Sequence, residues 1–137
     1  MEELIVPKKD EREVNMMNPL VWAYIGDNVY ELFVRNYLIN ESNAKVHELH
    51  VHAIKYVKAA AQSKILQLIE PMLTEEESNI VRRTRNTQNH HIPKNADPAD
   101  YMYATAFEGL VGFLFLTKQT KRLKELFEII ENEYFKK

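Results

Sequence analysis

Two short stretches decide the fold and the function predicted for this chain: YIGDNVYE at residues 24–31 and ATAFEGLVG at residues 104–112. The first places Asp27, and the second Glu108, in the middle of a strongly apolar helical run, which predicts that both carboxylates are buried. An ionised carboxylate in such surroundings is costly unless it is paired or binds a metal. If the two helices pack together, the two carboxylates form a hard oxygen site of the kind that suits Mg²⁺.

The three glycines of the chain, Gly26, Gly109 and Gly112, all lie within four residues of one of these acids. Glycine inside a helix costs about 1 kcal/mol relative to alanine, so we expect each glycine to allow a close approach between helices. An acidic residue in an apolar helix, taken alone, is more often an ion-pair partner than a metal ligand. The pairing of the two acids and the glycines beside them favours the metal site.

Capping sequences mark the helix boundaries. Asn18-Pro19 and Asp97-Pro98 each place a capping residue before a proline at the first helical position, and Thr74 to Glu77 has the form of a capping box. Together with the spacing of apolar residues, these signals predict helices over residues 19–39, 44–51, 54–69, 75–85, 98–116 and 121–135. The first of these is apolar around much of its circumference, which predicts a central position.

The predicted fold class is therefore all-α: one domain of five to seven helices over residues 15–137, preceded by an N-terminal tail over residues 1–14. The chain has no cysteine, which excludes disulfides and thiolate metal sites and suits the cytoplasm, the location we expect. The charged N-terminus is not a secretory signal, and no stretch has the ~18 consecutive apolar residues that a membrane span needs.

The net charge of −2 argues mildly against a nucleic-acid binder, but the distribution of charge matters more. Residues 81–96 contain no acidic residue, and their basic and polar side chains suit contact with RNA phosphates. The candidates for RNA contact are Arg82, Arg83, Arg85, Asn86 and Lys94, with the His90-His91 pair beside them. A solvated, flexible loop is the alternative for this segment, and the residues alone give the two readings equal weight.

The stretches at residues 24–31 and 104–112 also resemble the motifs of a known family. The Gly-Asp-x-Val-x-Glu run at residues 26–31 resembles the signature of ribonuclease III catalytic domains, and Ala-Phe-Glu-Gly-Leu-Val-Gly at residues 106–112 resembles their second acidic motif. The segments Arg82-Arg83-x-Arg85-Asn86 and Pro93-Lys94-Asn95-Ala96-Asp97 are similar, in order and spacing, to the Mini-ribonuclease III branch. The resemblance covers roughly residues 15–130.

The resemblance implies a single ribonuclease III-type helical domain that acts as a homodimeric, Mg²⁺-dependent endoribonuclease on double-stranded RNA. It implies that Asp27 and Glu108 are catalytic residues and metal ligands, and that each strand is cut once to leave 5′-phosphate and 3′-hydroxyl ends. It also implies maturation of the 23S (large-subunit) ribosomal RNA precursor. The separate duplex-binding domain usual in this superfamily is not expected here, so the catalytic domain or a partner, such as a ribosomal protein, must hold the RNA.

Two positions depart from full-length ribonucleases III, which carry a glutamate four residues before the signature aspartate and an aspartate three residues before the second glutamate. This chain has Ala23 and Thr105 there. The Mini branch resembles this sequence at both positions, so the departures do not by themselves imply an inactive enzyme, but they leave the number of metals open. We expect Glu31 to be a surface or ion-pair residue, and Asp97 and Asp100 to be the cap and first-turn acids of their helix.

The main alternative function is a catalytically inactive ribonuclease III-like module that binds ribosomal RNA. Such a module has no reason to bury both Asp27 and Glu108. A purely structural helical interaction protein is a second alternative, and it leaves the acid-free basic segment at residues 81–96 unexplained.

Overall fold

The structure is a computed structural model that describes residues 4–87 and 92–137. The remaining residues, 1–3 and 88–91, lie outside the described part, and with them the His90-His91 pair considered for RNA contact. All regular secondary structure in the described residues is helical, which confirms the all-α class. None of the described helices is both long and apolar enough to span a membrane.

Seven α-helices follow one another within the described ranges. They are α1 (Glu11–Asn15), α2 (Pro19–Glu41), α3 (Val46–Val57), α4 (Ala59–Ile69), α5 (Glu75–Asn86), α6 (Pro98–Leu116) and α7 (Thr120–Ile130). A 3₁₀ turn (Glu70–Met72) follows α4, and a π-helical turn (Glu131–Phe135) follows α7. The predicted caps are confirmed, because the side chains of Asn18, Thr74 and Asp97 each accept a hydrogen bond from a backbone amide of the following turn.

Two local features differ from the sequence-based expectation. The break expected between residues 51 and 54 is wrong: α3 continues through Val57, and the chain breaks at Lys58, whose backbone is extended. No glycine or proline marks that position. In addition, α1 forms within the segment expected as a tail. A capping box between Asp10 and Glu13 starts this helix, and its Val14 is fully buried.

The centre of the fold is α6, which packs against α2, α4 and α5. Nine of its nineteen residues are buried. The most extensive helix pair is α2 with α6, but α2 is not enclosed as its composition predicted. One side of α2 faces the core, while Val21, Tyr24 and Leu32 on the other side are 45%, 77% and 49% exposed.

Candidate active site

The helices α2 and α6 touch backbone to backbone at Gly26 and Gly112. A Cβ atom added at Gly26 would lie 1.8 Å from the Glu108 carbonyl oxygen, and one added at Gly112 would lie 1.8 Å from the Trp22 carbonyl oxygen. These distances leave no room for a side chain, so the expected close approach is confirmed at both glycines. Because Gly26 faces the backbone of Glu108 itself, the crossing brings the next residue, Asp27, beside Glu108.

The third glycine serves a different contact. A Cβ atom at Gly109 would lie 2.5 Å from the Oγ1 atom of Thr84, on α5. The Thr84 hydroxyl is itself bound, since it donates to the Ile80 carbonyl at 2.9 Å. Gly109 therefore lets α5 approach α6 one residue after Glu108.

The carboxyl groups of Asp27 and Glu108 interact directly. The pKa of Glu108 is raised to about 8. Burial is the largest cause, and a hydrogen bond to Asp27 and the charges of Asp27 and Glu31 also contribute. Glu108 is only partly buried, and Asp27 is exposed to solvent. The expectation that both acids are buried is therefore wrong for Asp27, which lies at the rim of the site on the open side of α2.

The donor set fits a divalent cation with few protein ligands. Two neighbouring carboxylates that resist joint ionisation are stabilised when a cation lies between them. Mg²⁺ commonly binds through one or two carboxylates and keeps several waters. Among the described residues, no group of three or more His, Cys, Asp or Glu side chains is arranged to hold a metal. Asp27 and Glu108 are therefore the two carboxylates that this site offers.

The two positions that depart from the full-length pattern add no ligand. Ala23 is buried and has no polar side-chain atom. The hydroxyl of Thr105 donates to the Tyr101 carbonyl at 3.0 Å, within its own helix.

The other acids near the motifs behave as the sequence predicts. Glu31 forms an ion pair with Arg35, at 3.8 Å and one helical turn away. Asp97 caps α6 by accepting from the backbone amides of Ala99 and Asp100, at 2.8 Å and 3.3 Å. Asp100 lies in the first turn of that helix.

Sequence reasoning missed Gln62, which lies on α4. Its side chain is buried, and its Nε2 atom lies 3.5 Å from the Glu108 Oε2 atom. A signal was present, because Gln62 shares a face of α4 with Ile65, Leu66 and Ile69, all of which are fully buried. A polar residue in the middle of an apolar stripe calls for a partner inside the protein.

Arg83, one of the candidates for RNA contact, has its guanidinium group engaged within the fold. It donates to the Asn15 side-chain oxygen and to the Asn15 carbonyl, both at 2.7 Å. It also lies over the Trp22 ring, 4.8 Å from the ring centroid. These contacts join the end of α1 to α5 and give Arg83 a structural role.

The remaining candidates lie at the C-terminal end of α5 and after it. Arg82 and Asn86 are exposed on α5, and Arg82 contacts the side chain of Asn79. Arg85 is partly exposed, and Lys94 is exposed before α6 begins. Helix α5 packs against α6 at Gly109, the residue after Glu108. The basic C-terminal end of α5 therefore lies on a helix that is next to the acidic pair.

Comparison with known proteins agrees with this architecture. The family model for the ribonuclease III domain matches residues 20–119. The Mini-ribonuclease 3 of Symbiobacterium thermophilum is 49% identical over 110 residues, which cover 80% of this chain and 85% of that protein. The Mini-ribonuclease 3 of Desulfitobacterium hafniense is 48% identical over 115 residues, with 84% and 73% covered.

A solved structure gives an independent comparison of the fold. A crystal structure of a protein from Fusobacterium nucleatum matches this chain with a TM-score of 0.78 at 27% sequence identity, and the match covers 88% of this chain and 96% of that one. The chain therefore belongs to the ribonuclease III family of endoribonucleases, and to its Mini-ribonuclease 3 branch.

Proposed function

We propose that this chain is a Mg²⁺-dependent endoribonuclease that cleaves double-stranded RNA at the Asp27–Glu108 pair. The observation that carries the proposal is the pairing itself. Two helices in backbone contact bring two carboxyl groups together, and burial and the neighbouring charge make the ionised form of Glu108 unfavourable without a cation. A site of this kind is suited to a metal that binds RNA phosphate at the same time.

The two acids would divide the work of holding the metal. Partly buried Glu108 would anchor it, and exposed Asp27 would hold it on the side open to the substrate. When bound, Mg²⁺ would stabilise the negative charge that develops on the phosphodiester oxygens during hydrolysis. With Ala23 and Thr105 offering no carboxylate, we propose one metal held by the protein. The family resemblance adds 5′-phosphate and 3′-hydroxyl products.

We further propose that the end of α5 and the residues after it contact the RNA. Duplex RNA is recognised mainly through phosphates and 2′-hydroxyls, and Arg82, Arg85, Asn86 and Lys94 offer suitable donors on accessible positions. The contribution of Arg83 would be indirect, because its guanidinium is bound to Asn15 and Trp22.

The exposed side of α2 supports the homodimer. Tyr24 and Leu32 are exposed there, and an adjoining groove of about 780 Å³ is lined by apolar residues that include Ile5, Phe33 and Phe127. Contiguous exposed apolar surface of this kind marks interaction sites. A two-fold dimer through this surface would provide two active sites, one for each strand of a duplex.

The resemblance to Mini-ribonucleases III supports a finer proposal for the cellular role. The substrate would be the 23S ribosomal RNA precursor in the cytoplasm, and a ribosomal protein is a candidate partner for presenting it. The alternative, an inactive module that binds ribosomal RNA, would have no use for a metal-ready pair of carboxylates.

The experiment that tests the proposed function compares duplex RNA with each of its single strands as substrates, in Mg²⁺ and in EDTA. We expect wild type to cut only the duplex and only with Mg²⁺. Asp27→Asn should bind duplex but leave it intact, while Glu41→Gln, an exposed acid at the far end of the same helix, should cut normally. Wild type that binds duplex without ever cutting it would overturn the nuclease, and normal cutting by Asp27→Asn would overturn the site.

A further inference from the structure

Gln62 is a buried amide directed at the acidic pair. It is 3% exposed, and its Nε2 atom donates to the Val57 carbonyl at 2.8 Å and lies 3.5 Å from the Glu108 Oε2 atom. Its Oε1 atom is buried as well, and no group in the described part of the chain donates a hydrogen bond to it. Only the donor end of this amide is thus in use.

The break between α3 and α4 explains why the amide points this way. The backbone amides of Ala61 and Gln62 both donate to the Lys58 carbonyl, at 3.0 Å and 3.1 Å. In a continuous helix, the Ala61 backbone amide would donate to the Val57 carbonyl. Here the side-chain amide of Gln62 donates to that carbonyl instead. A flipped amide would put Oε1 against two acceptors, the Val57 carbonyl and the Glu108 carboxylate, so the geometry fixes the donor end toward Glu108.

Capping Val57 does not by itself account for this arrangement. A buried amide oxygen without a donor destabilises the fold, and a half-satisfied polar group is worse than an apolar one of the same size. The amide is explained if its donor end also serves Glu108, a carboxylate in partly buried surroundings beside a second acid.

We propose that Gln62 is a positioning residue for the metal site: its side-chain amide holds the Glu108 carboxylate in the orientation that takes the divalent cation. This inference rests on the proposed function. With Oε2 of Glu108 engaged by Gln62 and Gln62 fixed by Val57, rotation of the carboxylate is restricted, and the other oxygen is left for the cation. Partners of this kind orient metal ligands, and their loss typically costs 10–100-fold in metal affinity or activity.

The test compares Gln62→Met with Gln67→Met. Methionine keeps the size of glutamine and removes its amide, and Gln67 is an exposed residue of the same helix, which makes it a matched control. Binding of Mn²⁺ alone is measured by electron paramagnetic resonance of the free ion, and the Mg²⁺ dependence of duplex cleavage and thermal unfolding are measured on the same samples. We expect Gln62→Met to bind Mn²⁺ about tenfold more weakly and to need about tenfold more Mg²⁺ for half-maximal cleavage.

Duplex binding in EDTA should be unchanged in Gln62→Met. Gln67→Met loses only a bond to the Ser63 hydroxyl at 3.3 Å, and it should match wild type in Mn²⁺ binding and in the Mg²⁺ dependence of cleavage. A capping role alone would lower the melting temperature and leave the metal dependence as in wild type, and that result would overturn the inference. If wild type itself neither binds Mn²⁺ nor cleaves duplex, the proposed function fails instead. Gln62→Leu serves as a second variant if Gln62→Met does not fold. If neither folds, the amide is needed for the fold, and a separate positioning role is overturned.

Discussion

Replacing Gly26 with alanine should force α2 and α6 apart. The new Cβ atom would lie 1.8 Å from the Glu108 carbonyl oxygen and 2.8 Å from the Gly112 amide nitrogen. Restoring an ordinary contact of 3.4 Å requires the two backbones to separate by about 1.6 Å. Because the obstacles are backbone atoms on a neighbouring helix, no change of side-chain rotamer can relieve the overlap.

The size of the effect follows from two opposing terms. Alanine is the better helix former by about 1 kcal/mol. Overpacking a close contact costs about 1–3 kcal/mol and sometimes more, and here the separation also loosens the edge-to-face pairs Trp22–Phe113 and Tyr30–Phe107, whose ring centroids lie 5.2 Å and 5.0 Å apart. We expect the free energy of unfolding to fall by about 2–4 kcal/mol in total.

Urea denaturation followed by circular dichroism measures this loss of stability. The rate of duplex cleavage, measured below the melting transition, should also fall because Asp27 and Glu108 are moved apart. Gly109→Ala is the control, because its Cβ atom would meet the Thr84 side chain rather than backbone, at 2.5 Å from Oγ1. Adding Thr84→Ala should therefore recover part of the stability lost in Gly109→Ala, measured against Thr84→Ala alone. A Gly26→Ala variant as stable and active as wild type would refute the backbone contact at the candidate active site.

Three further predictions follow from charged groups. In EDTA, wild type should lose roughly a few kcal/mol of stability as pH rises, because burial and the neighbouring carboxylate raise the pKa of Glu108 from 4.5 to about 8. This stabilisation is complete below pH 4.5 and is lost as pH rises to about 8. The free energy of unfolding of Glu108→Gln, measured by urea denaturation, should therefore depend less on pH than that of wild type. Equal pH dependence in the two proteins would contradict this prediction. Burial alone would raise the pKa of Glu77. The hydrogen bonds from Arg122 at 2.8 Å and 2.9 Å, the Arg122 charge and the hydrogen bonds with Thr74 together outweigh burial and lower this pKa. The ion pair therefore stabilises the fold above pH 4.5, the ordinary pKa of glutamate, and weakens as pH falls. Arg122→Met should lower the free energy of unfolding by about 2–4 kcal/mol at neutral pH and by less in acid. An unchanged midpoint of unfolding at neutral pH would contradict this prediction. Arg83→Met should lower the melting temperature and leave the salt dependence of duplex binding unchanged. Arg85→Met should reduce the slope of that salt dependence by about one phosphate contact. If Arg83→Met reduced the slope and Arg85→Met lowered the melting temperature, the two assignments would be wrong.

Local signals in the sequence were sufficient for most of the helices. The caps at Asn18, Thr74 and Asp97 depend on hydrogen bonds within two or three residues, so the sequence contains all of their partners. The capping box of α1, between Asp10 and Glu13, has the same local form and could have been found. The break at Lys58 could not, because no glycine or proline marks it and an extended lysine has no distinct sequence signal.

The sequence predicted which two acids meet in the candidate site, because both carried the same local signal. Asp27 and Glu108 stood out because glycines adjoin both, and the structure brings them together. The exposure of Asp27 was not predictable, because the apolar residues on the open side of α2 are of the types usually found in a protein core. The engagement of Arg83 was also hidden, because its partner Asn15 lies 68 positions away along the chain.

The most direct test of the proposed metal site is a crystal structure grown with Mn²⁺, which prefers the same oxygen ligands as Mg²⁺ and scatters X-rays anomalously. We expect one strong anomalous peak at coordination distance from carboxylate oxygens of both Asp27 and Glu108, and no such peak in crystals of Asp27→Asn. A peak bound elsewhere, or an empty Asp27–Glu108 pair in crystals of protein that cleaves duplex RNA, would contradict the assignment of these two residues as the metal ligands.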